Sequence, residues 1–142
     1  MSALVDPSLA VQIVRAALLA DSATTAIVGT RIRGEFAVDP DAGDPDYPSL
    51  VFAFSGGDGG SITRAGHYAD LTYGMTVFSR TSASEALAGY MAAAAVLHVE
   101  RLTLSGVSAV VIATQTSIPR IGWDEAHRAH YAVGRWRVQE IG

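Results

Sequence analysis

From Tyr68 to Leu97 the polar and apolar positions alternate first with a period of two and then with the spacing of a helix. Leu71, Tyr73, Met75 and Val77 fall on one side of an extended chain, and Asp70, Thr72, Gly74, Thr76 and Phe78 on the other, as in a half-buried strand. Ser82-Ala83-Ser84-Glu85 then has the form of a capping box, whose hydroxyl and carboxylate accept free backbone N–H groups at a helix start. An Ala-rich helix follows, with Leu87, Tyr90, Met91 and Leu97 as its bulky side. Strand, cap and helix make a scaffold without a reactive group.

Asp6-Pro7 predicts an earlier helix start, because aspartate caps well and proline tolerates the first helical position. Leu9 to Ala20 is apolar almost all round, with only Gln12 and Arg15 polar. A helix of that kind is covered on more than one side, by its own domain or by a neighbouring subunit. Asp21-Ser22 caps a shorter helical turn that ends at Gly29. Arg31 to Val38 reads as a short strand, and Tyr47-Pro48 introduces another from Leu50 to Phe54. Between them, Asp39-Pro40-Asp41-Ala42-Gly43-Asp44-Pro45-Asp46 is an acidic loop.

The glycine-rich tract Ser55 to Ser61 reads as the flexible tip of a long hairpin whose second strand begins near Tyr68. Gly106 introduces a strand from Val107 to Thr116. The final strand spans about His127 to Glu140, with Trp136 and Val138 on one face and Tyr131 and Val133 on the other. The order helix, strands, helix, strands predicts an α+β fold. Its sheet is mainly antiparallel, of about four to five strands, with two helices on one face and long mobile loops. The 142 residues fit a single domain over 1–142, without an internal repeat.

Hydrophobic residues make up 49% of the chain and charged ones only 17%, a low charge density that suits a surface covered by partners. The net charge of −4 argues against a sequence-neutral nucleic-acid binder, which needs a basic stripe. There is no cysteine, hence no disulfide framework and no thiolate metal site. No apolar run approaches the roughly 20 residues that span a bilayer, and no basic segment precedes a hydrophobic one at the N-terminus. A soluble, intracellularly made protein without a membrane partner is the expectation.

Asp39, Asp41, Asp44 and Asp46 alternate like calcium ligands, but an EF-hand loop needs a central glycine, a distal bidentate glutamate and flanking helices. A solvated turn-rich loop fits better. The tract Gly56 to Gly60 lacks the Lys-Ser/Thr and the helix of a phosphate-binding loop, and carries Asp58 in its middle. His127 and His130, three apart on a strand, point to opposite faces and read as surface or interface histidines. His67 and His98 have no carboxylate at a ligand spacing, and no Gly-x-Ser-x-Gly occurs. Ser105-Gly106 is a turn, and Glu100, Arg101, Asp124 and Glu125 are helix-end or loop charges. Arg128, Arg135 and Arg137 make the last strand basic, able to pair with acidic loops across subunits, while Trp136 reads as core or interface. Neither an enzyme nor a cofactor is expected.

Four segments carry a resemblance. Leu19-Ala20-Asp21-Ser22-Ala23 through Ile27-Val28-Gly29-Thr30-Arg31-Ile32 is a helix, a short turn and an Arg-Ile strand. Tyr47-Pro48-Ser49-Leu50-Val51-Phe52, then Thr76-Val77-Phe78-Ser79-Arg80-Thr81 with Glu85-Ala86, and finally His127-Arg128-Ala129-His130-Tyr131 running to Trp136-Arg137-Val138, follow in order. In order and spacing the chain resembles the tail-terminator or tail-completion proteins of long-tailed bacteriophages and gene-transfer particles, including the lambda-type terminators. It departs from them most in the acidic insertion and the Gly-rich hairpin.

The resemblance implies a virion protein at the head–tail junction, built as a homo-oligomeric, usually hexameric, ring. Such a ring binds the last tail-tube subunits, stops their polymerisation and joins the tube to a connector, with DNA passing through the lumen. Asp39, Asp41, Asp44, Asp46 and Asp58 become candidate lumen or docking positions, and Arg128, Arg135 and Arg137 candidate inter-subunit contacts. A head–tail connector, a stopper or a minor tail protein is the alternative. A small-molecule-binding domain or enzyme, which would show a discrete polar pocket, is a more distant one.

Overall fold

The computed structural model describes residues 7–33, 47–63, 66–104, 106 and 110–141, with side chains at 9–33, 47–53, 70–104 and 110–141. The acidic stretch from Asp39 to Asp46 lies outside the described residues.

Helix α1 (Pro7–Leu19) buries Ala10, Val11, Ile13, Val14 and Leu18 and leaves Gln12 and Arg15 exposed. Arg15 donates from Nε to the Ile32 carbonyl at 2.9 Å, which ties the helix to β1 (Ile32–Arg33). Helix α2 (Ser22–Val28) starts where expected. Asp21 Oδ2 accepts the Thr24 N–H at 2.9 Å and the Thr24 hydroxyl at 2.7 Å. It stops at Gly29, whose φ of 60° costs glycine nothing.

Seven strands form one sheet: β1, β2 (Ser49–Thr63), β3 (Gly66–Ser79), β4 (Arg101–Leu102), β5 (Val110–Gln115), β6 (Arg120–Asp124) and β7 (Ala129–Ile141). The spatial order is β1-β2-β3-β7-β5-β4, with β6 also paired to β7. β7 meets β3 along one edge, from Ser79↔His130 to Tyr68↔Ile141. Its other edge is shared by β5, opposite residues 136–141, and β6, opposite residues 129–133. Residues 116–119 connect those two strands without forming strand themselves.

Helix α3 (Ala83–Leu97) packs on β3 and β7 through Ala86, Gly89, Tyr90, Ala93, Ala94 and Leu97. The sheet answers with Leu50, Phe52, Leu71, Tyr73, Met75, Val77, Trp136 and Val138, so the core lies between the helices and one sheet face. Phe52 and Tyr73 stack there with centroids 4.9 Å apart.

The α+β class and the hairpin of β2 and β3 agree with the sequence, but several details differ. There are three helices and seven strands among the described residues, and β1 pairs with β2 in parallel. The glycine tract is not a hairpin tip: β2 runs through it, paired with β3 up to Thr63↔Gly66. Two breaks in register, between Phe54 and Gly56 and between Gly57 and Gly60, take up the extra residues as bulges, which glycine permits. The strands expected at Arg31–Val38 and Val107–Thr116 are described only as Ile32–Arg33 and Val110–Gln115; residues 34–38 and 107–109 lie outside the described residues. Met91 is 51% exposed rather than part of the packed side of α3.

The cap of α3 is half of the expected box. Ser82 Oγ accepts the Glu85 N–H at 3.0 Å. The Glu85 carboxylate instead accepts the buried Ser79 hydroxyl at 2.7 Å, and Ser79 Oγ in turn accepts the Thr81 and Ser82 N–H groups at 3.1 and 3.2 Å. The end of β3 therefore fixes the start of α3.

Candidate functional site

The sheet face turned away from the helices carries the charged side chains. Directly opposed residues of neighbouring strands share a face. Thr72 lies opposite Arg137, Gly74 opposite Arg135 and Arg120 opposite Val133, so all three arginines stand on this outer face.

Arg137 grips Asp70 of the same chain, with Nε at 2.8 and 3.0 Å and Nη2 at 2.6 Å from the carboxylate oxygens. That hydrogen bonding outweighs partial desolvation and, with the attraction of the guanidinium charge, holds the Asp70 carboxyl below its ordinary value.

Arg135 stands two residues earlier on the same face. Its backbone N–H donates to Ser117 Oγ at 2.9 Å, and its carbonyl accepts the Thr116 N–H at 2.9 Å and the Thr116 hydroxyl at 3.1 Å. These bonds hold residues 116–117 beside β7. An open cleft of about 480 Å³ lies among Gly74, Ser117, Ile118, Arg120 and Arg135. At Gly74 a Cβ would have nothing within 4 Å, so the floor of the cleft is bare backbone. Among the described residues no carboxylate pairs with Arg120 or Arg135, and Ile118 on the rim is 85% exposed.

At the β6–β7 turn the packing is denser. Asp124 Oδ1 accepts the His127 N–H at 3.1 Å, and Oδ2 stands 3.1 Å from His127 Nδ1. The His127 ring stacks on Phe78 at 4.6 Å. Tyr47 Oη and Arg80 Nη2 both donate to the His127 carbonyl, at 3.5 and 3.2 Å, and the Arg80 guanidinium lies 4.3 Å over the Tyr47 ring. Desolvation pushes the Asp124 carboxyl up, but the His127 backbone and side-chain hydrogen bonds, its charge and the Ala126 N–H together leave it below its ordinary value.

His127 is therefore packed within the chain, with a side chain only 12% exposed, where the sequence suggested a surface or interface histidine. It lies in a turn rather than a strand, which lets its ring fold back on Phe78. His130 meets Trp123 edge to face at 5.0 Å. Among the described residues no three His, Asp or Glu side chains come together as a metal site would require.

Asp39, Asp41, Asp44 and Asp46 lie outside the described residues. Asp58 falls in β2 at the bulge between Gly57 and Gly60. Arg128 is exposed in the β6–β7 turn with a φ of 49°, away from the cleft. The structure thus brings Arg135 and Arg137 to one face and leaves Arg128 apart from them. Two residues of this face were missed in the sequence, Arg120 and the Arg137 partner Asp70. Pairing Arg120–Asp124 with the start of β7 as a hairpin would have found the first.

None of the curated proteins matches the chain. A solved chain from the virion of a native gene transfer agent (GTA) particle shares its fold, with a TM-score of 0.65 and 20% identity over 93% of this chain and 94% of that one. The family model described as tail completion protein gp17 matches residues 12–130, from the first helix to the start of the last strand. That match takes in the β3–α3 joint and Arg120 on β6 but stops before the β7 residues of the cleft, and the chain belongs to the tail completion protein gp17 family.

Proposed function

We propose that the protein is a structural component of a phage-like tail and acts there as its terminator. Copies form a ring, of six in this reading, on the last tail-tube subunits. The ring blocks further tube growth and offers its opposite side to a head–tail connector, with DNA passing through the lumen. The observation that carries the reading is the family match over residues 12–130. The fold shared with a chain of a gene transfer agent virion supports a place within a particle.

The surface suits this role. A ring subunit presents two different faces to its neighbours, and apolar side chains left in water mark such faces. Ile118, Ile121 and Trp123 are exposed by 85, 49 and 49% along the β6 edge. Arg135 and Arg137 stand on the adjoining face, and Arg128 in the turn beyond it, as contacts between subunits. In this reading Asp39, Asp41, Asp44 and Asp46, together with Asp58 on the bulged stretch of β2, line the lumen or dock on partners. Carboxylates in the lumen would repel DNA phosphates and let the duplex slide.

Light scattering on a sizing column, with the protein alone and after adding tail-tube protein, tests the reading alongside tube lengths. A ring, or a monomer that becomes one on tube ends and halts their growth, is the expected result. Tubes that grow unchanged in its presence overturn the terminator role, and binding to the connector alone would make the protein a connector or stopper.

A further inference from the structure

We infer that the outer-face cleft floored by Gly74 and flanked by Arg120 and Arg135 is a docking site for a carboxylate-rich peptide segment, supplied by residues 39–46 of a second copy of this chain. The inference rests on the self-assembly reading above for its choice of partner, and on the cleft itself for its chemistry.

Three arginines share the face, and among the described residues only Arg137 meets a carboxylate there, that of Asp70. Asp124 is taken up by the His127 ring and backbone. Arg120 and Arg135 thus leave two guanidinium groups beside one cleft with no carboxylate partner among the described residues. Guanidinium forks bind carboxylates with two parallel hydrogen bonds, and bare backbone at Gly74 lets an extended segment lie close to the sheet. Ile118 on the rim adds apolar contact for alanine or proline side chains between the acids.

The chain carries the complement. Asp39, Asp41, Asp44 and Asp46 place four carboxylates among Pro40, Ala42, Gly43 and Pro45, in a protein whose net charge is −4. In the sequence that segment lies between Arg33, the last residue of β1, and Tyr47, ahead of β2, whereas Arg120 lies on β6. Strands β2, β3 and β7 stand between β1 and β6. At about 4.8 Å per strand, β1 and β6 lie roughly 19 Å apart across the sheet. An acidic segment that follows the edge strand β1 in sequence, docked in the β6–β7 cleft of a neighbour, makes a head-to-tail contact, the kind that closes rings. The chain's overall negative charge disfavours nucleic acid as the occupant.

The test uses the full chain. A variant with Asp39, Asp41, Asp44 and Asp46 all changed to Asn has no acidic segment to fill the cleft. A fluorescent peptide of residues 37–48 is titrated onto it and anisotropy is read. We expect saturable binding that weakens at least tenfold when Arg120→Glu and Arg135→Glu are added, and that falls as salt rises. Circular dichroism shows that each variant is folded. No saturation, or equal binding after the two arginine changes, overturns the proposal. Tighter binding of a short oligothymidylate than of the peptide overturns it in favour of phosphates.

Mixing then identifies the partner. An R120E/R135E chain and a D39K/D41K/D44K/D46K chain should each lose self-association in light scattering, and the mixture should regain it. A chain that stays monomeric alone and in the presence of tube ends, yet binds the peptide, overturns the second-copy assignment. Self-association untouched by either set of changes sinks this contact and leaves the terminator reading standing. Chains that use the contact but do not stop tube growth sink the terminator reading alone.

Discussion

Trp136 and Tyr90 are joined by a buried hydrogen bond, indole Nε1 to phenol Oη at 3.0 Å, made in the space that the missing side chain of Gly134 leaves open. The bond fastens α3 to β7 and is satisfied on the Trp136 side only by this one phenol. A Cβ at Gly134 would collide with Tyr90 Oη and stand 2.6 Å from its Cζ.

Tyr90→Phe should therefore cost about 1–3 kcal/mol, because it strands a buried indole N–H. Gly134→Ala should cost at least as much, since overpacking at a rigid ring displaces the helix. The two changes share one contact, so their combined effect should fall short of the sum. Urea unfolding of the two single variants and the double variant measures this.

Burial raises the Tyr90 phenol above its ordinary value of 10.0, and the Trp136 hydrogen bond only partly opposes it. A folded value above the unfolded one means a contribution that is complete below pH 10.0 and is lost as pH rises through the folded value. The stability of the native chain should thus fall more steeply on the alkaline side than that of Tyr90→Phe. Denaturant midpoints from pH 8 to 11 would show the two curves converging.

Ser79 is the hinge of the β3–α3 joint, donating to Glu85 and accepting from two backbone N–H groups. Ser79→Ala should cost about 1–3 kcal/mol by leaving those groups unpaired. Ser82→Ala loses a single cap bond and should cost about 1 kcal/mol. If thermal unfolding ranked the two in the opposite order, the relay through Ser79 would not be what holds the helix start.

Asp70 and Asp124 are both held below the ordinary carboxylate value of 3.8. Their contributions are complete above that value and are lost as pH falls through the lower folded values. At neutral pH, Asp70→Asn should cost less than about 1 kcal/mol, because Arg137 is half exposed and water screens the pair. Asp124→Ala also removes the bond to the His127 N–H and should cost about 1–2 kcal/mol. Both variants should flatten the acid limb of stability, followed by denaturant midpoints between pH 2 and 6.

Elements whose logic is local could be read directly. Asp21 and Ser82 cap the helices they precede, and Leu71, Tyr73, Met75 and Val77 point into the core as their alternation requires. What failed to show was set by distant partners. Glycines from Gly56 to Gly60 look like a turn until β3 supplies bonds across them. Ile121 and Trp123 gave no strand signal because β6 is an edge strand that exposes its apolar side. The Arg137 partner is 67 residues away, and the cleft is lined in part by Ser117 and Ile118 of the segment that joins two strands sharing one edge of β7. Arg135 was visible in the sequence, but its neighbour Arg120 was not.

The strand that completes the sheet is made after the strands it joins. β7 supplies the partner for β3, β5 and β6 together, yet its thirteen residues follow all of them in the chain. Until Ala129–Ile141 have been synthesised, β3 and β5 present unpaired edges, and unpaired edges invite aggregation. A chain truncated before Ala129 would therefore be swept into aggregates or degraded instead of circulating as a partial subunit. This acts as quality control, because a chain without β7 cannot complete the sheet.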